Sequence, residues 1–227
     1  MIKALLFDLD GTLLHTLPDI RLAINQALRE CGYDYSFSLK EATHLIGDGT
    51  DMLVRRALKE KSGDIDAFSE LKAHYMNYYR AWQDNHAKPF NGLPEVLKVL
   101  SDHGIKLYVV TNKPDALANV IVPAHFGKDL FEGIYGIKEG DPVKPDPSKC
   151  LEILSREGYQ KEEVLYVGDS KPDVDTAENA GIPSVLCLWG YGFYKKDLLE
   201  RADYVIKKPK ELAQLVLWEK KPTGGEG

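Results

Sequence analysis

Short apolar segments recur along the chain, and from residue 90 onward they are separated by stretches with helical spacing. The first of them, Ile2–Phe7, is apolar apart from Lys3, as expected for a strand buried on both faces of a parallel sheet. Similar segments follow at Ile105–Val110, Val164–Val167 and Ser184–Leu188, with a weaker one at Tyr204–Ile206. Strands and helices alternate from residue 90 onward, which predicts right-handed βαβ units in an α/β fold with a doubly wound parallel sheet.

Two helices in this part have recognisable ends. Apolar residues at positions 93, 96, 97 and 100 predict a helix over Leu93–Leu100, and Gly104 follows as a stop signal. Asp146 as N-cap and Pro147 at the first position predict the start of a second helix, which ends at Gly158.

The segment between residues 14 and 90 has no convincing strand. Three helical stretches are expected there, from Thr16-Leu17-Pro18-Asp19 to Gly32, over Thr50–Lys61 and over Ala67–Trp82. An insert of about 70 residues is too long for a loop. We therefore expect a core of residues 1–13 and 91–220, an all-helical cap domain of residues 14–90 over the carboxyl end of the first strand, and a disordered tail at 221–227.

Composition narrows the class of protein. The 227 residues carry a net charge of −6 and no long Lys/Arg run, so a nucleic-acid partner is not expected. No stretch approaches the ~18 apolar residues of a membrane span, and the apolar N-terminus is too short for a signal peptide. The three cysteines are far apart in the sequence, which favours reduced thiols in the cytoplasm.

Acidic residues follow the first and the third apolar segments. Asp8 and Asp10 in Asp8-Leu9-Asp10-Gly11-Thr12 lie on one side of an extended chain, where their repulsion calls for a cation such as Mg²⁺. Asp169 and Asp173 are four residues apart at the start of a helix. Each pair taken alone also fits ordinary capping of a turn or helix.

A hydroxyl and a lysine complete the candidate chemistry. Thr111 ends a strand before an expected turn whose N–H groups can hold phosphate oxygens, although an ordinary strand exit has the same pattern. Lys144 precedes two prolines that stiffen its backbone, although an isolated Lys at a helix start is usually at the surface. Three of the four motifs lie at the carboxyl ends of strands, where open parallel sheets bind ligands. Together these residues fit a metal ion and a phosphate.

These motifs, in this order, resemble the haloacid dehalogenase superfamily of phosphatases, over residues 2–215. The resemblance implies a Rossmann-like core, a helical cap and a Mg²⁺-dependent reaction. It implies that Asp8 is the nucleophile, that Asp10 is the general acid and base and also binds metal through its backbone carbonyl, and that Thr111 and Lys144 hold the phosphoryl group. It further implies that Asp8, Asp10, Asp169 and Asp173 form the metal site, with Asp173 acting through water or behind the ligands.

Two patches resemble phosphoglycolate phosphatases in particular. They are Val110-Thr111-Asn112-Lys113-Pro114 and Ile46-Gly47-Asp48-Gly49-Thr50, the latter followed by Leu53-Val54-Arg55-Arg56-Ala57-Leu58. The resemblance implies that Gly47 lies in a cap loop over the site and that Asn112 and Lys113 contact the substrate. We hypothesise that Arg55 or Arg56 meets the substrate's carboxylate; a solvent-facing basic pair on an amphipathic helix is the alternative.

The expected function is hydrolysis of a small phosphorylated metabolite, with 2-phosphoglycolate as the candidate substrate and with a monomer or homodimer as the active form. A sugar phosphomutase and a pyrophosphatase share the same core chemistry. A phosphonate hydrolase would need a Schiff-base lysine from the cap, and none is identified. The alternative from another class is a non-catalytic phosphate-binding protein, but such relatives usually lack the nucleophile or the acid.

Overall fold

A six-stranded parallel sheet lies at the centre of the molecule. The computed structural model describes residues 1–218, so the tail expected at 221–227 lies outside the described residues. The strands are β1 (Ala4–Phe7), β2 (Leu14–His15), β3 (Lys88–Pro89), β4 (Lys106–Pro114), β5 (Gly133–Ile137), β6 (Val164–Gly168), β7 (Ser184–Cys187) and β8 (Tyr204–Ile206). The sheet has the order β5-β4-β1-β6-β7-β8, with every neighbouring pair parallel. This confirms the predicted α/β class.

Helices cover both faces of the sheet because its strands are apolar on both sides. The helices are α1 (Leu17–Glu30), α2 (Leu39–Ala42), α3 (Gly49–Ala57), α4 (Ile65–Trp82), α5 (Leu93–Asp102), α6 (Asp115–Phe126), α7 (Ser148–Glu157), α8 (Lys171–Ala180), α9 (Lys196–Arg201) and α10 (Pro209–Leu217). Leu5 and Phe7 of β1 pack in a cluster with α5, α6 and α10, whereas Ala4 and Leu6 pack with α7 and α8. Complete burial of each large side chain contributes about 1.5–3 kcal/mol.

The insert forms a helical unit with its own apolar core. Helices α1 to α4 lie between β2 and β3, and their buried side chains form one cluster around Leu28, Leu71 and Tyr75. Leu117 of α6 also belongs to this cluster, so the helical unit packs against the sheet's helical layer. The helices expected from Thr16 and over 67–82 are confirmed as α1 and α4.

The two chain crossings between the sheet and the helical unit pair with each other. Leu14 pairs with Pro89 and His15 with Lys88 in a short antiparallel ribbon formed by β2 and β3. The sequence did not predict this ribbon, because a two-residue strand has no measurable periodicity.

Two helices differ from the sequence prediction. The stretch 50–61 is not one helix, because α3 ends at Ala57 and Lys59, the first residue of a separate 3₁₀ turn, has a positive φ of 53°. Asp146 is not an N-cap residue: α7 begins at Ser148, with Pro147 in the N-cap position. The Pro147 carbonyl accepts the first hydrogen bond of the helix, from the Leu151 backbone N–H, and the Asp146 carboxylate accepts one from the Ser148 backbone N–H.

Two general features also bear on function. No helix within residues 1–218 is both long enough and apolar enough to cross a bilayer. All three cysteines are free thiols; Cys150 and Cys187 are buried and Cys31 is partly exposed.

Candidate active site

The candidate residues converge at the carboxyl edge of the sheet. Asp8 follows β1, Thr111 lies in the last part of β4, and Asp169 follows β6. From β1 the chain first adds β4 and β5 on one side and later β6, β7 and β8 on the other. The site therefore lies at the switch point of the sheet, where open α/β folds bind ligands.

A buried lysine joins two of the acids. The Lys144 ammonium lies 2.7 Å from Asp8 Oδ1 and 2.6 Å from Asp173 Oδ1, and all three side chains are at least nine-tenths buried. Asp173 Oδ2 accepts hydrogen bonds from the Ser170 backbone N–H, the Ser170 hydroxyl and the Asp169 backbone N–H. Both oxygens of Asp173 are thus engaged, and this side chain fixes the position of Lys144 and of the loop after β6.

Burial and neighbouring charges shift the pKa values of Asp8, Asp169 and Lys144. Burial raises the pKa of Asp8 to about 7, against the opposing effect of Lys144. Burial, reinforced by Asp173 and Asp8, raises the pKa of Asp169 to about 8. Burial lowers the pKa of Lys144, but the attraction of Asp173 and Asp8 outweighs it and the net pKa is well above the usual range.

Asp169 is held from two sides. Its Oδ1 accepts a hydrogen bond from the Thr12 hydroxyl at 3.0 Å, and its Oδ2 accepts one from the Tyr191 backbone N–H at 2.7 Å. Gly11 lies directly against this carboxylate with a φ of 94°, and a Cβ built there would be 2.6 Å from Asp169 Oδ2. The glycine in the first motif therefore permits the close approach of the first and last motifs.

The donor set fits a divalent cation. Carboxylate oxygens of Asp8, Asp169 and Asp173 lie within 4.8 Å of one another, and all three residues are buried. Adding Asp10 gives four carboxylates against the two nearby lysines, 113 and 144, a formal charge of 2 − 4 = −2. Hard oxygen ligands and this charge suit a divalent cation of the Mg²⁺ type.

Asp10 faces a second buried lysine. The Lys113 ammonium lies 3.7 Å from Asp10 Oδ1 and donates a hydrogen bond to the Tyr79 hydroxyl of α4. Burial lowers the pKa of Lys113, against the opposing effect of Asp10. Asp10 Oδ1 is buried and has no hydrogen-bond partner within the described residues. Because Asp10 lines the cavity, this oxygen is available to hydrogen-bond a ligand there.

The segment Thr111–Lys113 differs from the expected turn. It continues β4 as an extended chain to Pro114, and the Thr111 hydroxyl accepts a hydrogen bond from the Lys113 backbone N–H. Asn112 accepts a hydrogen bond from the Lys144 backbone N–H at 2.8 Å and donates one to the Gly47 carbonyl at 3.2 Å. These polar groups are buried and partnered by distant loops, so the strand continues where its apolar pattern stops.

A small cavity lies between the helical unit and the sheet. Its volume is about 60 Å³, and Asp8, Thr111 and Lys144 line it from the sheet side. Ile46, Gly47, Leu53, Tyr75 and Tyr79 are among the residues that line it from the helical unit. A wider cleft of about 830 Å³ adjoins it, and Asp10 and Ile46 line both.

The two candidate arginines lie outside the small cavity. Arg55 stacks on the Phe68 ring at 4.4 Å and donates a hydrogen bond to the Ser62 carbonyl, so it lines neither the cavity nor the cleft. Arg56 lines the adjoining cleft, where it forms an ion pair with Asp48. The resemblance to phosphoglycolate phosphatases suggested that one of this pair meets the substrate, but Arg55 packs against Phe68 of α4.

Sequence reasoning missed two contributions. The first is the pair of stacked tyrosines, 75 and 79, whose rings are 5.3 Å apart against the cavity. The second is the loop after β7, whose Tyr191 donates to Asp169. A tyrosine between two glycines directly after a predicted strand was the available signal for this loop.

Comparison with known proteins agrees with this arrangement. Residues 5–187 match the family described as haloacid dehalogenase-like hydrolase. The phosphoglycolate phosphatase of Cereibacter sphaeroides is 38% identical over 191 residues, covering 82% of this chain and 84% of that protein. That of Mannheimia succiniciproducens is 31% identical over 225 residues, covering 94% and 98%.

A solved structure extends the similarity to the fold. A protein from Lactobacillus delbrueckii subsp. bulgaricus, described as a phosphoglycolate phosphatase, has a TM-score of 0.87 to this chain at 27% identity, covering 96% of this chain and 99% of its own. The strand order and the inserted helices of this chain are consistent with the family match, which covers most of its length. The chain belongs to the haloacid dehalogenase-like hydrolase family.

Proposed function

We propose that this phosphatase hydrolyses 2-phosphoglycolate with the help of Mg²⁺, through an aspartyl-phosphate on Asp8. That the chain is a phosphatase follows from its family and relatives. The observation that carries the finer proposal is the position of Asp8, buried at the wall of a small cavity with Lys144 2.7 Å away. In this position a carboxylate can meet a phosphate without the repulsion that it would have in open water.

In the first step, an oxygen of Asp8 attacks phosphorus while the bond to the ester oxygen breaks. Asp10 gives its proton to the leaving oxygen, so glycolate departs as the alcohol. In the second step, a water attacks the phosphorus of the aspartyl-phosphate, Asp10 takes the water's proton, and the Asp8 carboxylate is restored. General acid–base assistance of this kind typically contributes 10²- to 10⁴-fold.

The residues around Asp8 neutralise the phosphoryl oxygens. Lys144 offsets the negative charge that Asp8 and the phosphate share, and the Thr111 hydroxyl holds one phosphate oxygen. Asp8, Asp169 and the Asp10 backbone carbonyl would hold Mg²⁺, with Asp173 behind them. When bound, the ion supplies positive charge against the transferring oxygens.

The small cavity supports a small substrate. Only Lys113 brings a second buried positive charge to its wall beside Lys144, among the residues described as lining it. We propose that Lys113, with Asn112 and the Gly47 loop, receives the carboxylate of phosphoglycolate. Arg55 has no part in this proposal because it lies away from the cavity, and Arg56 lies on the outer cleft.

The helical unit would act as a movable cap. We propose the division into a core of residues 1–13 and 91–220 and a cap of residues 14–90, joined at the β2–β3 ribbon. Opening at this ribbon would admit substrate, and closure would keep water away from the attack on phosphorus. Free thiols agree with the proposed cytoplasmic location.

A substrate screen tests the proposal. We expect steady release of phosphate from 2-phosphoglycolate in Mg²⁺, with the highest kcat/KM among small esters, and a loss of at least about 10³-fold in Asp8→Asn. A preference for pyrophosphate would show a pyrophosphatase instead, and transfer of the phosphoryl group to a sugar hydroxyl would show a sugar phosphomutase. Equal rates for wild type and Asp8→Asn would favour a non-catalytic phosphate-binding protein.

A further inference from the structure

The loop after β7, residues 188–193, packs directly on a proposed metal ligand. The Tyr191 backbone N–H donates to Asp169 Oδ2 at 2.7 Å. A Cβ at Gly190 would collide with Asp169 Oδ2 and the Gly11 carbonyl, and one at Gly192 would collide with the Asp169 carbonyl. The backbone of this loop can therefore approach Asp169 only because both neighbours of Tyr191 are glycines.

The side chain of the same tyrosine reaches the chain crossing. The Tyr191 hydroxyl shares a hydrogen bond with His15 Nδ1 at 2.6 Å and accepts one from the Leu17 backbone N–H at 3.2 Å. His15 belongs to β2, and Leu17 is the first residue of α1. Phe90, after β3, lies against both aromatic rings, with centroids 5.9 Å from His15 and 6.4 Å from Tyr191. One residue thus contacts the acid through its backbone and both crossings through its side chain.

A second connection runs in parallel. The Trp189 indole N–H donates to the Thr12 carbonyl at 3.0 Å, and the Thr12 hydroxyl donates to Asp169 Oδ1 at 3.0 Å. The loop after β7 and the segment that leads to β2 therefore each donate a hydrogen bond to the Asp169 carboxylate. If the first crossing, at β2, is displaced, both donors to Asp169 move with it: the Thr12 hydroxyl on Oδ1 and the Tyr191 N–H on Oδ2.

We propose that Tyr191 is a positioning residue that couples Asp169 to the orientation of the cap. The coupling rests on the proposed metal-dependent function. With the hydroxyl anchored on His15 and Leu17, the closed ribbon holds the Tyr191 N–H against Asp169, and an opened ribbon releases it. Coupling between two sites is reciprocal: if closure strengthens Mg²⁺ binding by some factor, Mg²⁺ stabilises the closed ribbon by the same factor.

Hydrogen exchange of the Leu17 amide measures this coupling independently of enzymatic activity. This N–H donates to Tyr191, so its exchange by NMR follows opening of the anchor. We expect Mg²⁺ alone to slow its exchange about fivefold or more in the wild-type chain, the lower end of typical couplings. In Tyr191→Phe the Mg²⁺ effect on this amide should vanish, and half-saturation by Mg²⁺ in the phosphatase assay should rise by the same factor.

Tyr204→Phe is the matched control. It removes the hydroxyl of an exposed tyrosine on the edge strand β8, so both Mg²⁺ responses should stay as in wild type. Mg²⁺ activation with an unchanged Leu17 exchange in the wild-type chain would overturn the coupling and leave the proposed function intact. Absence of both responses would overturn the metal-dependent function as well. A shift in Tyr204→Phe equal to that in Tyr191→Phe would also overturn the coupling.

Discussion

At the scale of single residues, Asp173 is the side chain whose role the structure changes most. The sequence places it four residues after Asp169, and the resemblance implies that it supports a metal ion through water or from behind the ligands. The structure gives it four donors, including Lys144, so it acts on the site mainly by holding that ammonium and the Asp169–Ser170 backbone.

Asp173→Asn should therefore lower kcat by about 10²-fold. The amide removes the negative charge opposite Lys144, and its NH₂ group is a donor that faces other hydrogen-bond donors. Steady-state kinetics check this. Asp175→Asn is the control: this acid, two residues later on α8 and less buried, pairs with Lys171 and Arg201 and should leave kcat within about twofold. Equal losses in the two variants would contradict the role given to Asp173.

The raised pKa values of Asp8 and Asp169 predict how metal-free stability depends on pH. An acid whose pKa is higher in the folded state adds stability at low pH, and this is lost as pH rises from about 4 toward 7 for Asp8 and 8 for Asp169. Mg²⁺ binds the ionised carboxylates and should reverse this loss, so its effect on Tm should be several degrees larger near about pH 8.5 than near about pH 5.5.

Thermal unfolding with and without Mg²⁺ at both pH values measures this difference. In Asp169→Asn the increase of the Mg²⁺ effect with pH should shrink. A Mg²⁺ effect of the same size at both pH values in the wild-type chain would contradict the assignment of these buried acids to the metal site.

Individual site residues were predictable where a motif follows a strand, and less so where a partner comes from a distant segment. Asp8, Thr111 and Asp169 could be placed at one sheet edge because parallel strands end together. The turn of Arg55 away from the site depends on Phe68 of α4, thirteen positions later, which helical spacing alone does not show.

At the scale of elements, the loop after β7 has no charged side chain that would mark it in the sequence as part of the site. Its contribution comes from a backbone N–H and from two glycines that admit the loop to Asp169. The length of strand β4 was also underestimated, because its last residues are polar. They are buried because Asn112 and Lys113 form hydrogen bonds with other elements.

Gly192→Ala should raise the Mg²⁺ concentration needed for half-maximal activity by about tenfold or more, since its Cβ would collide with the Asp169 backbone. Titration of activity with Mg²⁺ checks this. Gly63→Ala is the matched control, because neither glycine has a positive φ and a Cβ at Gly63 meets nothing within 4 Å. An unchanged Mg²⁺ requirement in Gly192→Ala would show that the loop tolerates displacement.

At the scale of the whole molecule, the substrate space is set by the approach of the helical unit to the sheet. The sequence predicted a helical insert in a doubly wound fold. The size of the cavity could not be predicted, because it depends on how far the β2–β3 ribbon lets the two parts approach. Ile46 lies at the boundary between the 60 Å³ cavity and the wider cleft.

Ile46→Ala should join the two spaces and relax the preference for a small ester. We expect the ratio of kcat/KM for 2-phosphoglycolate to that for an aryl phosphate to fall about tenfold, the usual effect of a few methylene groups in a pocket. Kinetics with both substrates measure the ratio. Met52→Ala, an exposed position on α3, should leave the ratio unchanged, and an equal fall there would show that the cavity wall does not set the preference.

The most direct test of the account is to find the phosphoryl group on Asp8. Asp10→Asn should let it accumulate, because an aryl phosphate needs no protonation of its leaving group while breakdown still needs a base at position 10. Acid quenching during turnover in Mg²⁺, followed by peptide mass spectrometry, should show one phosphoryl group on Asp8 and none when Mg²⁺ is chelated. A phosphoryl group on another residue would contradict the account. So would turnover by an Asp8→Asn variant that keeps Asp10.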